Sequence, residues 1–401
     1  MLFNSYAVFI YIVLFVLLFN IIRHSFKLRL LNNIVLIGAD LLILLLFVKE
    51  HSLIIIAILS LIVFLLGRLM QINKSTAVLV GSLVFVIGLF SVRNYAPLLD
   101  MLTNSYFDFV KEPVLSVEKV GLSYILFRFV NFLVESWKRS IKRSDFLTFL
   151  SYIFFFPSFL AGPIDTYKNF HYWTGKTTFR YQRELFFAGI TRIVIGAAKT
   201  LIIVPLVIGY ATDFHVLLPD YSAIGALSLS LLCYSVYIYM DFSGYSDIAI
   251  GTAYLMGIKT PENFNNPYIS QSLREFWKRW HITFSYFLRI YVFKPFIRLY
   301  NFIFRSKFYL TVSILAYLST FLICGLWHGS TVNFVYWGLW HGVGLAINRL
   351  WISWVGKKKK LQDSLVYKGV SILITFVFVT VGWMFFQYSL PQLQEIFQLL
   401  F

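Results

Sequence analysis

EFWKRWHITFS, residues Glu275 to Ser285, sets a carboxylate, Lys278, Arg279, two tryptophans and His281 into a chain that is almost continuously apolar on either side. The flanks decide the fold class. Of 401 residues, 59% are hydrophobic and 13% charged, with a mean hydropathy of +0.75. A soluble domain has no use for so much apolar surface. Many stretches approach the roughly 20 apolar residues that cross a bilayer. The chain therefore reads as an all-α polytopic membrane protein. Eleven spans are expected, at 5–22, 34–48, 52–67, 77–92, 121–137, 146–161, 185–210, 222–240, 309–326, 332–351 and 369–388, with irregular apolar segments at 247–257 and 282–304. Polar residues such as Asp40 and Arg128 inside spans point to re-entrant or broken helices buried in protein.

The first span has no basic segment before it and no small-residue cleavage site after it, so it reads as a retained anchor. No Pro/Gly/Ser-rich linker divides the chain, and 1–401 is taken as one integral membrane domain: N-terminal spans to 120, a core over 121–351, and a C-terminal span over 352–401. Basic loops at 23–33, at Lys138, Arg139, Lys142 and Arg143, and at Lys357–Lys360 are assigned to the cytoplasm, and 93–120 to the outside. Segment 162–183 is also basic, yet counting spans puts it outside. One neighbouring span should therefore fail to cross.

Net charge is +17, from 35 Lys+Arg against 18 Asp+Glu. In a membrane protein this surplus serves orientation and anionic lipid, or a basic face that attracts an acidic soluble partner, rather than nucleic acid. Cys233 and Cys324 lie far apart in apolar spans and make no disulfide or metal framework; they read as small core residues. No HExxH spacing and no GxSxG elbow occurs, so no bound metal or serine nucleophile is expected.

Chemistry can reside in three polar islands. Three of the seven histidines, His281, His328 in CGLWHGSTVNF and His341 in YWGLWHGVGLA, fall in one tryptophan-rich region. Each either packs two helices through a backbone carbonyl or serves a function, because ionisable groups at membrane depth usually face a protein interior or a watery cavity. Trp327 and Trp340 each precede a histidine, and a glycine follows each. A histidine can act as general base for a hydroxyl attacking an acyl group; beside a pre-activated thioester, that suffices without a protein nucleophile. MDFSGYSDIAIG, Met240 to Gly251, sets Asp241 and Asp247 at the end of one span and the start of the next. Asp241, Ser243, Tyr245 and Ser246 are candidates for a polar wall, and Ser243, Gly244 and Ser246 permit close helix packing. PENFNNPY, with Asn263, Asn265 and Asn266, leads into the opening stretch. A transporter or a non-catalytic scaffold remain as alternatives, with no internal repeat to favour the former.

Taken together, EFWKRWHITFSYFLRIYVF, His328 in GLWHG 47 residues after His281, AGPIDTYKNF, and MDFSGYSDIAIGTAYLMGIKTPENFNNPY resemble the membrane-bound O-acyltransferase (MBOAT) superfamily over about 121–351. That family carries Asn or His in the first motif and a nearly invariant His in the second. The likeness is greatest to the branch that D-alanylates teichoic acids, and next to the alginate O-acetylation branch, whose PLGG-type stretch is replaced here by VFKPFIRLYN. Where bacterial members often read Arg-Asp-Tyr, this chain has Arg289, Ile290 and Tyr291.

The resemblance implies a ring of roughly eleven helices, with re-entrant and interfacial helices, around a central tunnel. It implies catalysis by His328 and His281, and a tunnel lined by Asp241, Ser243, Tyr245, Ser246, Asn265, Asn266, Trp277, Trp327 and His341. It implies no bound cofactor; an acidic D-alanyl carrier protein on the cytoplasmic side supplies a phosphopantetheine thioester. Teichoic acid is the eventual acceptor, with other membrane proteins of the pathway in the relay, in a Gram-positive cell membrane. Segment 286–307 has the composition of an interfacial amphipathic helix, for headgroups or for the carrier; Arg289, Lys294, Phe296, Ile297 and Arg298 are its docking candidates. In the opening stretch Trp277 and Trp280 would anchor at an interface, Lys278 and Arg279 would face anionic groups, and His281 would point into the tunnel.

Overall fold

The computed structural model describes residues 12–16, 19–20, 29–103, 121–141, 143–175, 183–305, 308–355 and 364–400. Most of the first expected span, the 93–120 loop beyond residue 103, Lys142 and the Lys357–Lys360 run lie outside the described residues. The described residues are helical, with no strand among them. They form α1 (Arg29–Leu44), α2 (Glu50–Ile72), α3 (Thr76–Thr103), α4 (Leu122–Trp137), α5 (Phe146–Phe154), α6 (Tyr167–Thr174), α7 (Arg183–Ala198), α8 (Val204–Thr212), α9 (Ala223–Leu255), α10 (Leu273–Arg279), α11 (Ile282–Leu288), α12 (Lys294–Ile303), α13 (Tyr309–His328), α14 (Val332–Val355), α15 (Leu365–Gln387) and α16 (Leu390–Leu400). Among them, five stretches are long and apolar enough to cross a membrane: Glu50–Ile72, Glu184–Thr212, Ala223–Leu255, Tyr309–His328 and Leu365–Gln387. The protein is an all-α polytopic membrane protein.

The chain packs as two compact units, one of Met1–Ala198 with Gly244–Pro261 and the other of Lys199–Ser243 with Glu262–Phe401.

In the first unit, the expected span at 146–161 breaks. α5 is nine residues long, about 14 Å at 1.5 Å per residue, which is half of a bilayer core. Its end is finished by a buried cation. The Arg128 guanidinium, 1% exposed, donates to the carbonyls of Tyr152 (2.5 Å) and Ile153 (2.7 Å) and to Ser158 Oγ (2.8 Å). A helix leaves its last carbonyls without backbone partners; in an apolar medium those groups must be met from within the protein. Buried Asp40 accepts the Phe156 N–H beyond the break, at 3.1 Å. α5 is thus a short neighbour of the basic 162–183 segment. In the same unit α7 lies directly against the 244–255 part of α9. A side-chain carbon at Gly196 would come within 2.6 Å of the Gly244 carbonyl, and one at Gly251 within 2.6 Å of the Gly189 carbonyl.

The sequence island at 240–251 is not a gap between two spans. α9 runs unbroken through it for 33 residues. Its polar side chains are met laterally, so the helix has no reason to stop. In the first unit Asp247 pairs with Arg192 at 3.0 Å, and the Tyr245 hydroxyl accepts the Ala161 N–H at 3.0 Å.

In the second unit the C-terminal helix α16 packs Leu393 and Ile396 onto Phe214, Leu217 and Tyr388. Exposed His215, in the turn that follows α8, ties that turn to α16, with Nδ1 2.9 Å from Asp213 Oδ1 and Nε2 3.0 Å from Glu395 Oε1. A neutral imidazole has one N–H, so only the imidazolium can donate to both carboxylates. The hydrogen bonds to Asp213 first, and Glu395 second, raise the folded value of His215 above its ordinary one. A raised folded value means the bridge contributes stability below the ordinary imidazole range, near pH ~6.5, and loses it as pH climbs through the raised value. Amide exchange across residues 390–400, corrected for intrinsic rate, should quicken between pH 6 and pH 9; Glu395→Gln should flatten that dependence.

Candidate active site

The second unit holds all three histidines of the tryptophan-rich region. α10 begins at a Ser272 cap that accepts the Glu275 N–H and ends at Trp280. His281 follows with left-handed backbone angles, φ 41° and ψ 56°, a conformation a branched or bulky side chain adopts only when its surroundings fix it. What fixes it is Asn263, itself fully buried. The Asn263 carbonyl accepts the Ile282 N–H at 2.8 Å. Its side-chain Oδ1 lies 2.9 Å from His281 Nδ1, accepts the Thr283 hydroxyl at 2.9 Å, and lies 3.4 Å from the Thr283 N–H. A backbone N–H can only donate, so the amide atom facing it is the oxygen. His281 Nδ1 therefore carries a proton, and when the ring is neutral Nε2 is its acceptor nitrogen.

His328 closes α13, and α14 begins four residues later. The two helices touch backbone to backbone. A side-chain carbon at Gly325 would run into the Phe334 carbonyl, and one at Gly338 into the Phe321 carbonyl. The glycines that permit this approach precede the histidines; those that follow them, Gly329 and Gly342, face a phenyl ring and the Leu318 backbone. The approach sets His328 against Trp337, with ring centroids 4.8 Å apart, and His341 against the same indole at 5.0 Å. His281 and His328 flank the Phe284 ring at 5.0 and 6.2 Å. His328 is half-buried, whereas His281 is 3% and His341 0% exposed. Both ring nitrogens of His341 lack a hydrogen bond. No hydrogen bond or ion pair engages His328 among the described residues; aromatic rings hold it in place.

Several expected positions fall elsewhere. Asn265 and Asn266 are exposed, and the buried asparagine of that loop is Asn263. Trp277 and Trp280 are 8% and 4% exposed. They are packed in the protein rather than set at an interface: Trp277 against Phe321 and His341 at 4.9 and 5.1 Å, Trp280 against Phe264 and Trp383 at 5.1 Å each. Arg279 pairs with Glu275 at 2.7 Å, while Lys278 is exposed. Ser243 is buried, its Oγ without a hydrogen bond, and Asp241 is half-buried. Tyr245 and Ser246 are buried in the other unit. Trp327 stacks obliquely on Phe284 at 4.5 Å. Asn263 and Thr283 were missed as partners of His281; the only signal in the sequence was a run of asparagines with nothing to rank them.

A cleft of about 330 Å³ opens beside Trp277. Exposed Arg274, Lys278 and Arg289 stand at it, with Ile282, Phe293 and Phe321 as apolar wall. Beyond it the expected amphipathic helix is interrupted. A π-helical turn at Arg289–Phe293 precedes α12, which starts at Lys294–Pro295; proline supplies no N–H to continue the preceding ladder. On α12, Lys294 and Arg298 are exposed and Phe296 and Ile297 half-buried. Its outward apolar residues are Leu299, Phe302 and Ile303, at 48%, 83% and 55% exposure.

These features describe a multi-pass membrane protein with a half-buried imidazole among aromatic rings and a second imidazole fixed nearby. The chain belongs to the membrane-bound O-acyltransferase (MBOAT) family, whose pattern matches residues 41–392. It is 34% identical over 277 residues to a teichoic acid D-alanyltransferase of Bacillus subtilis, covering 67% of this chain and 68% of that protein. It is 30% identical over 306 residues to a probable alginate O-acetylase of Pseudomonas aeruginosa, covering 75% and 55%. It is 34% identical over 252 residues to a peptidoglycan O-acetyltransferase of Helicobacter pylori, covering 61% and 44%.

Replacing Asn263 by Ala should release the His281 ring while the helices persist. A misplacement of about 1 Å costs on the order of 10²-fold in rate, so acyl transfer should fall by tens to hundreds of times. Gly338→Val should lower the unfolding midpoint instead, by overpacking worth about 1–3 kcal/mol, as thermal unfolding in detergent would register.

Proposed function

We propose that this chain transfers D-alanine from the phosphopantetheine thioester of an acidic carrier protein toward teichoic acid at a Gram-positive cell membrane. The observation that carries the reading is His328: a half-buried imidazole with no ion-pair partner among the described residues, near a second histidine whose Nδ1–H is held by Asn263. A neutral imidazole accepts a proton from an attacking hydroxyl. The hydroxyl oxygen bonds to the thioester carbonyl carbon, the C–S bond breaks, and the proton passes through His328 to the departing thiolate. His281 positions the attacking hydroxyl, whose hydrogen Nε2 can accept. No cofactor resident in the chain enters this step; the carrier's phosphopantetheine brings the acyl group.

The cationic cleft at Arg274, Lys278 and Arg289 suits the phosphate of that arm. The outward face of α12 joins Lys294 and Arg298 to Leu299, Phe302 and Ile303, a composition that steers an acidic protein and then buries apolar surface against it. Other membrane proteins of the pathway would pass D-alanine onward outside. Teichoic acid is favoured by the Bacillus subtilis relative, matched over two thirds of each chain. A second reading, O-acetylation of an exopolysaccharide or cell-wall polymer, rests on the alginate and peptidoglycan acetylating relatives, of which the chain covers about half the length.

The test is the D-alanine ester content of the envelope in a strain depleted of this protein and complemented with wild type or His328→Ala. Restoration by wild type and none by the variant, at equal membrane abundance, is expected. Unchanged ester on depletion would remove the D-alanyl reading and bring acetylation forward.

A further inference from the structure

The side chains around His328 bear on which acyl group this site takes. A D-alanyl donor carries an ammonium on the carbon next to the reacting carbonyl, and an acetyl donor carries none. If His328 reaches the hydroxyl that attacks this carbonyl, the ammonium must lie among the neighbours of that imidazole. Five aromatic rings from four helices are among those neighbours. Trp337 and Phe386 stand nearly perpendicular to the imidazole, at 84° and 79°, with centroids 4.8 and 5.0 Å away. Trp327 is at 4.5 Å, Phe334 at 6.3 Å and Phe284 at 6.2 Å. The rings also support one another, Trp337 on Phe386 at 5.5 Å, Phe334 on Phe386 at 5.2 Å and Phe284 on Trp327 at 4.5 Å.

Among the described residues no carboxylate is ion-paired to this imidazole, and aromatic rings surround it. The faces of aromatic rings attract a desolvated cation through their quadrupoles. A site for acetyl needs only apolar volume, and leucine or valine furnish that as well as phenylalanine does. Five aromatic side chains would be a redundant way to house a methyl group. We propose that the rings around His328 form a cage that reads the α-ammonium of an aminoacyl donor and so selects it over acetyl. This rests on acyl transfer at His328 as read above.

The test uses membranes containing the full chain, carrier protein charged with either D-alanyl- or propionyl-phosphopantetheine, and lipoteichoic acid; ester formation is followed by mass spectrometry. Propionyl has the D-alanyl carbon skeleton without the amino group. Wild type should show kcat/KM for D-alanyl at least tenfold above that for propionyl. Phe386→Leu and Phe334→Leu, which keep apolar volume and remove the ring, should each reduce that ratio by about tenfold, equivalent to about 1.4 kcal/mol. Propionyl turnover in the same preparation reports a folded variant. A wild-type ratio near one, or a ratio unmoved in both variants while D-alanyl transfer continues, overturns the cage and leaves the D-alanyl reading standing. Wild-type transfer from neither donor, with transfer from an acetyl donor, overturns both.

Discussion

The contact at Gly325 and Gly338 is what the rest of the site depends on. Two apolar helices in a bilayer gain little from burying apolar surface against each other, since lipid is equally apolar. They gain dispersion and close geometry only where the backbones can meet. Here each glycine faces a carbonyl on the opposite helix, leaving no room for a side-chain carbon. The approach brings His328, at the end of one helix, and Trp337, near the start of the other, to one level. One turn further on, His341 lies against the same indole. The aromatic side chains then fill the space the glycines leave open, and α15 closes it with Phe378, Trp383 and Phe386.

A different constraint governs His281. Its ring and its backbone are both held by one loop residue, and that residue is buried, so the polar atoms that meet are each other's replacement for water. The same logic recurs in the other unit, where Arg128 finishes the broken end of α5. In both places an irregular stretch of backbone is tolerated because a single side chain satisfies several groups at once.

Much of this was legible in the sequence. The apolar composition carried the fold class, and the two WHG-type motifs with the island at 275–285 singled out the three histidines now found in one unit. The basic 162–183 segment pointed to a neighbouring span that fails to cross, and the helix before it, α5, is nine residues long. Other features were hidden for a physical reason. Hydropathy averages along the chain and sees no lateral partners, so Asp241 to Asp247 read as a break where α9 continues. A loop has no period, so nothing told Asn263 from Asn265 and Asn266; only burial separates them. Trp277 and Trp280 sit beside charges and read as interface anchors, yet the ring packing of neighbouring helices draws them inward.

The double grip of Asn263 has a consequence for how such a chain can diverge. One residue holds the side chain of position 281 through its amide and the peptide of position 282 through its carbonyl. The segment between, 264–280, is thereby a loop of fixed perimeter whose two ends are tied to a single point. Substitutions along it can accumulate, and several of its side chains are exposed. An insertion or deletion of even one residue, however, would pull the imidazole and its left-handed hinge out of register together. Length is constrained in that stretch as firmly as its buried side chains are.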